Sequence, residues 1–211
     1  MRTQQFDWEM KRETDRIPWC SAVLTAVNVI VFLICWFDGD FLYEKGAFSV
    51  LYLLRNGEYY RLVTAMFLHA DVSHLANNMI LLYFGGEIVE KTVGKLRYLI
   101  LFFVSGICGN LFSAVYELST GSFYESIGAS GAVFGLIGGL LYLVIARKGR
   151  AAQISVQRMV LMIVLSLYSG FQSVMVNNAA HLGGLLSGFL VTFLLCHVGR
   201  LPDERFRRSA A

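Results

Sequence analysis

Charge is what this sequence has least of. Only 16% of its 211 residues are Asp, Glu, Lys or Arg, where a soluble domain of this length carries about 25%. The class of ordinary soluble domains is therefore excluded. The net charge of +3 is no argument for nucleic acid, because the basic residues are distributed around apolar runs, and no nucleic-acid partner is expected. The four cysteines, Cys20, Cys35, Cys108 and Cys196, show no C-x-x-C spacing. Neither a disulfide framework nor a zinc site follows from them, and they read as small hydrophobes. No H-E-x-x-H occurs, which argues against a zinc protease, and no metal or other cofactor is expected. No apolar run holds an aspartate in its interior, so an intramembrane aspartyl pair is excluded. The soluble-hydrolase elbow G-x-S-x-G is missing too, because Ala132 stands where its second glycine would be. Internal repeats, low-complexity segments and a cleavable signal peptide are likewise not found.

Apolar residues fill that space. They make up 56% of the chain, and several runs are long enough to cross about 30 Å of hydrocarbon. The fold class expected is all-α: a polytopic membrane protein, a bundle of six transmembrane helices in the lipid bilayer. The spans fall near 19–36, 72–89, 96–115, 129–146, 156–176 and 179–198. Three segments result: a cytoplasmic N-terminal stretch 1–17, a membrane domain 18–199 and a basic tail 200–211. The connection 37–70 is too apolar for full solvation, with Phe48, Val50, Leu51, Leu53 and Leu54, and is expected to lie embedded in the outer interface. Asp71 is a candidate N-cap for the second span. Glu87 and Glu90, near the inner end of that span, are expected to reach the interface or pair with basic groups there. Segment 116–127, carrying Glu117 and Glu125, reads as an outer loop.

Fifteen of the eighteen Lys and Arg residues lie in the N-terminal stretch, the 90–97 turn, the 147–158 turn and the tail. Only Lys45, Arg55 and Arg61 fall on the other side. The positive-inside rule places both termini in the cytoplasm, in a cell membrane crossed several times. Spans two, four and six then all begin at the outer side. Near those beginnings stand His74 and Asn78, Ser130, and His181.

Polar groups at matched depth in a membrane are functional candidates by default. Ser130 lies where a polar loop becomes an apolar helix, among the free amides of a first turn. His181 as neutral imidazole could take the serine proton and return it to a leaving amine. His74 and Asn78, one helical turn apart, could donate to a developing oxyanion beside the Ser130 amide. Plainer roles stay open on this evidence: close packing of small residues at 128–135, interhelical hydrogen bonding by His74 and Asn78, and a capping bond from His181.

Three ordered pieces carry a resemblance. They are His69-Ala70 … His74 … Asn78, then Gly128-Ala129-Ser130-Gly131, then Ala180-His181 … Gly184 … Gly188. Over about residues 60 to 188 the chain resembles the rhomboid intramembrane serine proteases, in their minimal six-span bacterial form. The resemblance implies Ser130 as nucleophile, His181 as general base, and His74, Asn78 and the Ser130 amide as oxyanion hole. Gly128, Gly131, Gly184, Gly188, His69 and Asn178 belong to the same motifs in supporting places. Two positions depart from the common pattern. Tyr60-Arg61 stands where Trp-Arg is frequent, leaving Arg61 to anchor the first connection, and Phe134 stands where Tyr is frequent. The activity implied is cleavage of transmembrane protein substrates near the outer end of a transmembrane segment. Three other readings are an inactive relative that binds membrane clients, a small transporter, and a metal enzyme built on His69, His74 and His181.

Overall fold

The computed structural model describes residues 17–146, 154–171 and 176–198. The N-terminal stretch up to residue 16, part of the 147–158 turn, the end of the expected fifth span and the basic tail lie outside the described residues. The described chain is all helix apart from connections and one isolated bridge between Phe48 and Ser126. Helix α1 is Trp19–Asp38. Three short helices follow, α2 (Phe41–Gly46), α3 (Val50–Asn56) and α4 (Arg61–Thr64), the last running into a 3-10 turn at Ala65–Phe67. Helix α5 (Val72–Ile80), a π-helical turn at Leu81–Gly85 and α6 (Gly86–Val93) form one unbroken helical segment. Then come α7 (Lys95–Thr120), α8 (Ser130–Ile145), α9 (Val156–Phe171) and α10 (Asn178–Val198).

Three of these are long and apolar enough to cross a bilayer, over Trp19–Phe37, Lys95–Thr120 and Asn178–His197. Helix α8 has 16 residues, about 24 Å at 1.5 Å per residue. It is shorter than a hydrocarbon core about 30 Å thick. Helices α7, α8 and α10 pack together as the centre of the bundle. The approach is close enough that a Cβ on Gly188 would overlap the Gly135 backbone, and one on Gly184 the Gly131 carbonyl. Tyr98, Leu101, Phe102, Leu136 and Leu143 fill the core beside this seam. Helix α9 contributes Met159 and Ile163 to the same core and leaves Leu161, Val164, Leu165 and Tyr168 outward.

Two expectations are corrected. Glu90 neither reaches the interface nor pairs with a base. It is buried, and its carboxylate accepts from the Cys20 N–H at 3.0 Å and from the Ser21 N–H and hydroxyl at 2.9 Å. Pro18, at the N-cap of α1, offers no side-chain acceptor, so a carboxylate from another helix satisfies the free amides of that first turn. Glu87 does pair locally, with Lys91 at 2.6 Å. Removing the cap should weaken the docking of α1. Glu90→Ala is expected to lower stability by about 1.5–3 kcal/mol, the range for a hydrogen bond to a charged acceptor, with Glu90→Gln falling between it and wild type. Thermal unfolding in detergent measures this, and identical melting of Glu90→Ala and wild type would show that the cap contributes nothing.

The connection 37–70 adds a detail of its own. Phe48, Val50 and Leu53 turn to the protein, forming a small core with Ala65 and Ala114. Short amphipathic helices allow that inward face, and only Leu54 of this group is strongly exposed. Arg61 ties the region together. Its guanidinium is buried, donates to the carbonyls of Glu44 (2.9 Å) and Ala47 (2.8 Å), pairs with Glu58 and lies 4.4 Å over the Tyr52 ring. Hydrogen bonds from Asn56 and Arg61 hold the Glu58 carboxyl down to about 2. The second correction is to α7, which runs on to Thr120. Glu117 is therefore a buried helical residue, not part of a solvated loop.

Candidate active site

The chain reaches Ser130 through a connection fixed at two points. Gly121, at φ 70, ends α7 in the left-handed conformation that a side chain disfavours. Ser126 then exchanges backbone hydrogen bonds with Phe48, at 2.9 and 2.8 Å, and the Gly128 N–H donates to the Ala65 carbonyl at 2.8 Å. Gly128 has φ 124, and a Cβ there would stand 2.7 Å from the His74 ring and 3.7 Å from the Ser130 hydroxyl. Only glycine fits, and its lack of a side chain is what lets His74 and Ser130 come together. Ser130 is the first residue of α8, half-buried.

His74 and Asn78 come from α5. The Asp71 carboxylate caps that helix, accepting from the Ser73 hydroxyl at 2.6 Å and the His74 N–H at 2.8 Å, and these bonds hold its pKa below the ordinary carboxylate value. The His69 ring meets His74 edge-on, 5.1 Å between centroids. His69 is fully buried, its carbonyl accepting from the Tyr43 hydroxyl at 2.7 Å. Burial pushes the His69 imidazole down to about 4, so it adds no charge beside His74 at neutral pH. Asn78 is 6% exposed and its side-chain NH2 has no partner. A buried donor left unpaired costs stability, which makes it conspicuous one turn below His74 on α5. The π-helical turn begins directly below this pair, three residues after Asn78; such turns recur at functional sites.

His181 comes from the first turn of α10. It is 8% exposed and lies flat on Phe134, with centroids 4.3 Å apart and planes within 9°. Phe134 is one turn beyond Ser130 on α8, so the stack sets the imidazole on the helix that carries the serine. The backbones meet there too, since a Cβ on Gly131 would stand 3.6 Å from the Ala180 carbonyl. Among the described residues His181 Nδ1 has no partner, and no hydrogen bond is seen between the ring and the Ser130 hydroxyl. Catalytic hydrogen bonds are commonly loose before substrate binds. Among the described residues no group of three or more His, Cys, Asp or Glu could hold a metal ion.

Ser130, His74, Asn78, His181, Phe134, Gly128 and Gly131 are thus brought to one region, with His69 behind His74. Gly184 and Gly188 lie below, in the helix seam. Arg61 sits among α2, α3 and α4 and touches none of them. Asn178 opens α10 with its side-chain oxygen buried and without a partner. Its neighbour Asn177 is more engaged, and the sequence reading passed over it. The Asn177 side chain caps α10 by accepting from the Ala180 N–H at 2.9 Å, and donates to Ser113 and Ser126, both at 2.7 Å. An asparagine just ahead of an apolar run is an N-cap signal that could have singled it out.

The comparisons point the same way. The Rhomboid domain model matches residues 56–198. The chain is 35% identical over 143 residues to the rhomboid protease GluP of Bacillus subtilis, covering 68% of this chain and 27% of GluP. It is 36% identical over 139 residues to the putative rhomboid protease YdcA of the same organism, covering 66% of this chain and 68% of YdcA. With the rhomboid protease AarA of Providencia stuartii the identity is 32% over 165 residues, covering 68% of this chain and 58% of AarA. The chain thus spans little more than a quarter of GluP. A family domain that begins at the end of α3, takes in every helix from α4 to α10 and fits an all-α membrane bundle leaves one assignment: this chain belongs to the rhomboid family.

Proposed function

We propose that this protein is an intramembrane serine endopeptidase that cuts transmembrane proteins near the outer end of a membrane-spanning segment, using Ser130 and His181. The reading rests on one observation above the rest: three helices far apart in sequence bring Ser130, His181 and the His74–Asn78 face to one place, around Gly128 and Phe134. The apolar runs give six crossings of a cell membrane, and the distribution of Lys and Arg keeps both termini cytoplasmic and this region on the outer side.

The chemistry is acyl transfer. The Ser130 oxygen attacks the scissile carbonyl while His181 takes its proton. The tetrahedral oxyanion receives hydrogen bonds from the Ser130 N–H, free at the start of α8, from the Asn78 NH2 and from His74. His181 then protonates the leaving amine, and water hydrolyses the acyl-enzyme by the same steps in reverse. A substrate helix must first unwind, because its carbonyls are already hydrogen-bonded. Unwinding in lipid frees polar groups that have no water to bond, so the outer end, closest to water, is where it costs least.

Cleavage of a purified transmembrane substrate by the protein in liposomes tests the activity. Within that assay Asn78→Ala is expected to lower kcat, by up to about 10²–10³ as for loss of one oxyanion donor, with KM little changed, because the bond strengthens only in the transition state. A defect confined to KM would instead make Asn78 a structural or binding group.

A further inference from the structure

Asn177 bonds to no side chain assigned to the chemistry, yet its own side chain bonds to three separate parts of the fold. Its carbonyl oxygen accepts from Ala180, the residue before His181. Its two N–H bonds go to the Ser126 hydroxyl, four residues ahead of Ser130, and to the Ser113 hydroxyl on α7. The Ser113 hydroxyl in turn donates to the carboxylate of Glu117, 2.9 Å away and fully buried on the next turn of α7. Ser126 is held independently by its backbone pairing with Phe48. The main-chain oxygen of Asn177 is also engaged, accepting from the His181 N–H at 3.1 Å. The serine and histidine segments are otherwise joined by packing alone, through the Phe134–His181 stack and the glycine contacts.

We infer that Asn177 is a positioning residue: by bonding the start of α10 to the segment before Ser130 and to the Ser113–Glu117 pair, it fixes His181 relative to the serine. The inference rests on the Ser130–His181 reading. Stacking fixes the plane of an imidazole but leaves it free to slide; the hydrogen bonds of Asn177 fix where its helix begins. Misplacement of reacting groups by about 1 Å can cost about 100-fold in rate, so small shifts suffice.

Asn177→Ala is expected to lower kcat about 10- to 100-fold while KM stays within about twofold, the pattern of a loss felt in the chemical step. The rate of Ser130 modification by a fluorophosphonate should fall in parallel, since that reaction needs the dyad but no transmembrane substrate. Ser126→Ala removes one tie without touching the α10 cap, and keeps the test readable if Asn177→Ala folds poorly. It should lower kcat less than Asn177→Ala does. The double variant Ser126→Ala with Asn177→Ala should be no slower than Asn177→Ala, because Ser126 acts through Asn177. Wild-type kcat and labelling in Asn177→Ala, a defect in melting temperature alone, or multiplicative effects in the double variant would each overturn the role. Turnover by Ser130→Ala would overturn the dyad instead, so the two failures are distinguishable.

Discussion

Ser130→Ala and His181→Ala should each abolish substrate cleavage while leaving a folded, membrane-inserted protein. The hydroxyl of Ser130 is half-exposed at the head of α8, so its removal opens no cavity in the core. His181 is buried against Phe134, and Ala at that position leaves a gap under the ring. Some loss of stability is expected there, but α10 is held along its length by the seam with α7 and α8. The double variant should be little slower than either single one. A nucleophile without its base, or a base without its nucleophile, has already lost what the pair does together. Residual cleavage by His181→Ala at a sizeable fraction of wild type, with Ser130→Ala dead, would point to a different base. Melting curves in detergent, measured beside turnover, separate these outcomes from simple unfolding.

Gly188→Ala should be the most damaging single methyl in the bundle. The added Cβ would overlap the Gly135 carbonyl group and Cα, all of them backbone atoms of α8. A flexible side chain could swing away; a helix backbone cannot, so α8 and α10 must part. Overpacking of this kind costs about 1–3 kcal/mol, occasionally more. In a membrane the loss bears directly on association, because helices there are held by close packing and not by the hydrophobic effect. Activity should fall with stability, since the two helices being separated carry Ser130 and His181. Gly85→Ala is the control. Gly85 is helical at φ −68 with nothing within 4 Å of a Cβ, so Ala there should be neutral or stabilise by about 0.4–1 kcal/mol. Equal melting temperatures for Gly188→Ala and Gly85→Ala would mean that α8 and α10 do not meet as closely as described.

The helical bundle and its polar residues were legible in the sequence because both leave one-dimensional traces. Uncharged runs give helices, and Asp71 before Val72 gives the cap at its observed place. The G-x-x-x-G of Gly184 and Gly188 reads directly as a close helix contact, and His74 and Asn78 share a face by spacing alone. What stayed hidden depends on adjacency in space. Glu90 among apolar residues looks like an interfacial carboxylate until α1 is seen to begin beside it without a side-chain cap of its own. Glu117 looks solvated if α7 is ended at Val115, but five more residues of helix carry it inward, to where Ser113 meets it. Asn177 and Asn178 are neighbours of one type, and only the direction of the chain entering α10 decides which side chain caps the helix. Phe48, Val50 and Leu53 announce burial but not against what, since lipid and protein select the same residues.

The central claim is that Ser130 is a nucleophile made reactive by His181. Incubating the purified wild-type protein in detergent with a fluorophosphonate, followed by peptide mapping of the adduct, tests it most directly. The account predicts a single adduct on Ser130, formed with loss of cleavage activity and strongly slowed in His181→Ala. An adduct on another residue that accompanies inactivation, or labelling and cleavage that persist in Ser130→Ala, would contradict it.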